Sequence, residues 1–153
     1  MYQRILVPLD GSDTSLAGLD EAVRLARLHG ATLRLVHAFN TFKLRPGHAS
    51  HASYSSLLPK MKAEGEELLQ RGRERAERGG AKVETMLLTS LTLSLSELVA
   101  EDAQGWKADL IVAGTRGRKG IERILWGSQA QDVTRMATMP VLLVQAPETD
   151  TND

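Results

Sequence analysis

Hydrophobic positions along this chain alternate between short continuous runs and a three-to-four-residue recurrence. Ile5, Leu6, Val7, Pro8 and Leu9 form the first run, and the turn-prone Asp10-Gly11-Ser12-Asp13 ends it. A run of that length, bounded by turn residues, reads as a strand buried on both faces. Leu16, Leu19, Val23 and Ala26 then fall on one side of a helix, for which the turn supplies N-caps and Gly30 the stop. Thr32 to Ala38 is the second strand. Strand, helix and strand in this span have the size of one right-handed parallel unit.

From Phe39 to Leu58 the period is lost. Pro46, Gly47 and a run of Ser, His and Ala predict a loop there, a candidate lid. Pro59 is expected to open a charged helix that runs to about Arg78, with Met61, Leu68, Leu69 and Ala76 inward and Gly79-Gly80 as its stop. Lys82 to Leu88 is a third strand. Ser94 and Glu97 have capping-box spacing and start a helix that carries Leu95, Leu98, Val99 and Ala103 and ends near Gly105. Leu110 to Ala113 is a fourth strand, Ser128 to about Met136 a last helix, and Val141 to Gln145 a last strand behind Pro140. This alternation predicts an α/β fold, an open doubly wound parallel sheet of five strands with helices on both faces. Residues 1–146 are expected to form a single domain and 147–153 a polar, disordered tail. No internal repeat is visible.

The chemistry concentrates between Asp109 and Gln129. There an apolar run breaks at Gly114 into a loop containing Arg116, Gly117, Arg118, Lys119 and Gly120, and a Gly127-Ser128 pair follows. Glycines let the backbone approach a ligand closely, and successive N–H groups beside a helix start make an anion site. Gly114-x2-Gly117-x9-Gly127-Ser128 is neither a Walker loop nor a G-x-G-x-x-G fingerprint. The alternative is that the glycines make turns and Arg116, Arg118, Lys119 and Arg123 form a solvated face.

What precedes the loop decides between these. Ile5-Leu-Val-Pro-Leu-Asp-Gly-Ser12, Leu35-Val-His-Ala38, the Gly114 to Ser128 pattern and Pro140-Val-Leu-Leu-Val144 occur in the order seen in universal stress proteins. The chain resembles that family over nearly its whole length, and in particular the branch that binds ATP. The resemblance implies strand order 3-2-1-4-5 and ATP, with or without magnesium, at the carboxyl ends of the strands. Asp10, near Pro8, would take the ribose hydroxyls, with capping of the first helix as its competing role. Backbone groups near Ala38 would read the adenine edge. Gly114, Thr115, Arg116, Gly117, Arg118, Lys119 and Gly120 would surround the phosphates, with Gly127, Ser128, Gln129 and Ala130 at the terminal one. The family usually has a Gly-x-Pro turn before its third helix, where this chain has Leu91-Thr-Leu93.

Composition narrows the classes. Lys plus Arg and Asp plus Glu are 19 each, so no global field favours nucleic acid or an anionic membrane, and any anion site must be a local cluster. The chain has no cysteine, which removes disulfides, thiolate metal sites and cysteine nucleophiles. The N-terminal residues lead directly into a strand and not into an apolar signal segment, and no run could span a bilayer, so a cytoplasmic protein is expected.

Other candidates carry less. His48-x-x-His51 sits among Ser and Ala without nearby Cys or carboxylate, His37 reads as a structural histidine in a strand, and no Gly-x-Ser-x-Gly elbow is present. No metal site and no catalytic residue is therefore assigned. Three functions compete: an ATP-binding stress-response or regulatory module; a slow ATP hydrolase or phosphotransferase; and a structural dimer without nucleotide. Adenylating signatures and an evident base for a γ-phosphate are absent, which favours the first. An apolar last strand at the sheet edge predicts a homodimer through Val141 to Gln145.

Overall fold

The computed structural model describes residues 1–41, 51–115 and 125–147. Nine elements follow one another: β1 (Arg4–Pro8), α1 (Asp13–His29), β2 (Thr32–Asn40), α2 (His51–Arg78), β3 (Lys82–Ser90), α3 (Leu95–Gly105), β4 (Leu110–Thr115), α4 (Leu125–Met136) and β5 (Val141–Gln145). All strand pairs are parallel, and the sheet order is β3-β2-β1-β4-β5. This is the expected doubly wound α/β arrangement. It follows from the two-sided apolar runs of β1 and β4, which must be covered above and below.

Each face of the sheet has its own core. On one side α1 and α2 cover Ile5, Val7, Leu9, Leu33, Leu35, Leu110 and Val112; on the other, α3 and α4 cover Leu6, Val36, Ala38 and Ile111. Successive residues of each strand thus point to opposite cores, as the strand period requires. The second face also holds a charged knot. Arg34 Nη2 donates to Asp102 Oδ1 at 2.9 Å, and Nη1 lies 3.3 Å from Glu84 Oε1. Nε also sits 2.9 Å from Asp102 Oδ2, but too poorly aligned for a hydrogen bond, so that contact is Coulombic. The Arg34 guanidinium stacks 5.5 Å from the Trp106 ring centroid.

Four boundaries differ from the sequence expectations. β2 runs on to Asn40, because Phe39 and Asn40 pair with Thr89 and Ser90 of an equally extended β3. α2 begins at His51, eight residues before the expected start, and encloses Pro59. Proline lacks an N–H and crowds the carbonyl four residues back, but the long helix that follows is held by its packing on β2 and β3. β4 continues through Gly114 and Thr115, which pair with Val144 and Gln145, so the strand outlasts its apolar run. α4 starts at Leu125, placing Gly127-Ser128 inside the helix and not at its cap. Of the expected loop and lid, residues 42–50 lie outside the described residues, as do residues 148–153 of the expected tail. Among the described residues, no helix is long and apolar enough to cross a membrane.

Candidate functional site

The switch in strand order falls between β1 and β4, whose chains leave the sheet in opposite directions toward α1 and α4. β1 pairs with β4 as Ile5↔Leu110 and Leu6↔Ile111. Carried forward, that register sets Asp10 level with Thr115, so the turn after β1 and the end of β4, a hundred residues apart in the chain, lie at the same end of the sheet.

Asp10 is held from both ends. Leu9 N–H donates to the Val36 carbonyl at 2.8 Å, and the Leu9 carbonyl accepts from His37 Nδ1 at 2.8 Å. β2 therefore fixes the residue before Asp10 beyond the end of β1, which gives His37 the structural role expected of it. Gly11 follows at φ 84, a left-handed turn that favours glycine. The capping role expected as the alternative for Asp10 falls to its neighbour. Ser12, not Asp10, is the N-cap of α1: its Oγ accepts from Ser15 N–H at 3.1 Å. Asp10 Oδ1 accepts from both the N–H and the hydroxyl of Ser12, while Oδ2 has no partner among the described residues. One carboxylate oxygen builds the turn; the other remains available.

Ala38 is positioned by the same pairing. The Val36 carbonyl points toward β1, where it accepts from Leu9. Two residues on, strand alternation turns the Ala38 N–H and C=O in the same direction, into the space past the end of β1.

Gly114 has a role that the phosphate reading did not contain. A Cβ built on it would fall 1.8 Å from the Thr14 carbonyl oxygen, and one built on Gly18 would fall 2.7 Å from the Gly114 amide nitrogen. The first two turns of α1 are thus seated backbone to backbone on the end of β4. Gly18 and Thr14 were not singled out from the sequence, although a glycine inside a helix that could have had alanine, at a cost of about 1 kcal/mol, is a signal of such packing.

On the opposite side of the sheet, Gly127 lies in the first turn of α4, where N–H groups lack intrahelical acceptors, and Ser128, Gln129 and Ala130 follow it. Arg116, Gly117, Arg118, Lys119 and Gly120 lie outside the described residues, as do Arg123 and His48. Among the described residues no group of three or more His, Asp or Glu side chains could hold a metal. The shifted carboxyls lie away from the crevice. The Arg75 hydrogen bond lowers the pKa of Asp20, hydrogen bonds from Ser94 lower that of Glu97, and burial raises that of Asp102 against the pull of Arg34.

A parallel α/β domain whose strand order reverses beside an acidic turn and a glycine-bearing strand end belongs to the doubly wound class. The universal stress protein family matches residues 1–145. A universal stress protein of Methanocaldococcus jannaschii is 37% identical over 150 residues, covering 97% of this chain and 85% of its own. Among solved structures, a universal stress protein family member from Burkholderia pseudomallei shares 31% identity with a TM-score of 0.76, covering 95% of this chain and 97% of that one. A universal stress protein in complex with cAMP shares 27% identity with a TM-score of 0.69, covering 95% and 99%. The chain belongs to the universal stress protein family.

Proposed function

We propose that the crevice between the ends of β1 and β4 binds ATP, and that the protein is a nucleotide-responsive stress or regulatory module that acts as a cytoplasmic homodimer. The observation that carries this reading is Asp10 Oδ2, without a partner among the described residues, in the turn that follows β1 beside β4. A carboxylate there accepts from ribose hydroxyls, and the Ala38 backbone offers one donor and one acceptor to a base edge. The cAMP complex of a related protein supports an adenine nucleotide as the ligand class. In this reading Gly114, Thr115, Arg116, Gly117, Arg118, Lys119 and Gly120 enclose the phosphates, magnesium accompanies them, and the α4 start from Gly127 to Ala130 takes the terminal phosphate. Holding the nucleotide, not turning it over, is the proposed activity.

Isothermal titration with ATP and with magnesium-ATP tests this. Saturable binding, accompanied by a rise in melting temperature, is the expected result. Gly117→Val and Gly127→Val should each abolish binding while the circular dichroism spectrum is retained. No binding at millimolar ATP with magnesium would leave a structural dimer as the better account.

A further inference from the structure

α1 and α2 do not close completely over their face of the sheet. A cleft of about 340 Å³ remains between them, at the lower end of the roughly 300–1,000 Å³ typical of small-molecule sites. The cleft lies on the face of the sheet that α1 and α2 cover, away from α4, and its inner end is lined by Leu9 and Gly11, which flank Asp10. Its apolar side is Leu9, Leu16 and Leu68, and Gly72 lets α2 seat closely on the sheet there, since a Cβ on it would fall 2.6 Å from Leu9 Cδ1. It follows α2 from Leu68 to Arg78, about 15 Å at 1.5 Å rise per residue.

The other side is cationic. Arg71, Arg75 and Arg78 fall at i, i+4 and i+7 and so share one stripe of α2. Their engagements differ. Arg75 donates through Nε and Nη2 to the two carboxylate oxygens of Asp20, both at 2.8 Å, a fork that ties α2 to α1 and neutralises that position. Glu74, also on the lining, accepts from Gln70 at 3.3 Å. Arg71 and Arg78 have no ion pair and no hydrogen bond among the described residues. An apolar trough with two unengaged guanidiniums along it matches a ligand that has a short hydrocarbon body and one anionic end. Glu74 and Asp20 beside the same trough work against a polyphosphate.

We propose that the cleft between α1 and α2 is a second ligand site, which takes a small amphipathic monoanion, with its hydrocarbon body on Leu9, Leu16 and Leu68 and its carboxylate on Arg71 or Arg78. The site stands independently of the nucleotide reading.

The test is a nitrogen-15 NMR titration of the full chain, free of nucleotide, with sodium octanoate, and with octan-1-ol as the uncharged comparison. Saturable shifts of the Leu16, Leu68 and Gly72 amides are expected with octanoate, with binding at least about fivefold tighter than that of octan-1-ol. The double variant Arg71→Gln, Arg78→Gln removes exposed charges without touching the core, and should weaken octanoate by about the same factor at an unchanged melting temperature. Adding ATP should not displace octanoate. The proposal is overturned by shifts that do not saturate, by equal affinity for octan-1-ol, by full affinity in the double variant, or by competition with ATP.

Discussion

Asp10 builds its own turn through one carboxylate oxygen, and the ligand role proposed for the other can be tested separately by substitution. Asparagine keeps an oxygen to accept from the Ser12 N–H but loses the charge that a ribose hydroxyl would meet. Asp10→Asn is therefore expected to melt within a few degrees of the parent while binding ATP roughly tenfold more weakly, as a hydrogen bond to a charged group would predict. Equal affinity in titration calorimetry would reduce Asp10 to a turn residue. Gly114→Ala makes the opposite case. Its Cβ would meet the Thr14 carbonyl at 1.8 Å, and a helix carbonyl already bonded in the first turns of α1 has nowhere to go. Urea unfolding should show a loss of about 3 kcal/mol, at the upper end of overpacking costs, whether or not nucleotide is present.

At the level of elements, two ion pairs brace the helices and respond oppositely to acid. Asp20 on α1 is forked by Arg75 on α2, which holds its carboxyl below the ordinary 3.8. Folding thus favours the ionised form, so this contribution is present above about pH 3.8 and is lost as pH falls through the lower folded value. Both side chains are nearly half exposed, so Asp20→Asn should cost no more than about 1 kcal/mol at neutral pH and nothing in strong acid. Asp102 on α3 is buried beside Arg34, and desolvation raises its pKa despite that cation. Folding here favours the protonated form, so the contribution is present below pH 3.8 and fades as pH rises through the raised value. Asp102→Asn does not titrate, and its stability relative to the parent should therefore improve as pH rises from 3.8 through the raised folded value. Urea midpoints of both variants, measured below as well as above pH 3.8, test the two signs together. α2 carries a related lesson: a proline that reads as a helix start sits eight residues inside it, because packing on β2 and β3 outweighs one missing rung.

Across the whole molecule, β5 is one of the two edge strands of the sheet. It pairs with β4 on one side, and its Leu142 and Leu143 are 38% and 37% exposed. Two adjacent leucines on an open parallel edge carry no charge that would prevent pairing with another strand. A second copy covering this edge is the arrangement proposed above, and gel filtration with light scattering should give a dimer at micromolar concentration. Leu142→Lys combined with Leu143→Lys should give a folded monomer. A parent that is monomeric under those conditions would remove the dimer and leave the edge for another partner.

The one-dimensional pattern was enough to define five strands, four helices and their alternation, because buried two-sided strands and one-sided helices leave periods that local residues alone create. It also marked Gly30, Ser94 and Glu97 as helix ends and placed the start of α1 in the Asp10 to Asp13 turn, since caps are made by neighbours in the chain. Contacts between distant segments left no such trace. That Gly114 serves as the seat of α1, that Ala38 looks past the end of β1, and that β4 outlasts its apolar run all depend on which backbone lies alongside, and that is decided when the sheet assembles. Local periodicity encodes what each segment can bury; the strand neighbours determine which of its polar groups remain unpaired, and those are the groups a ligand meets.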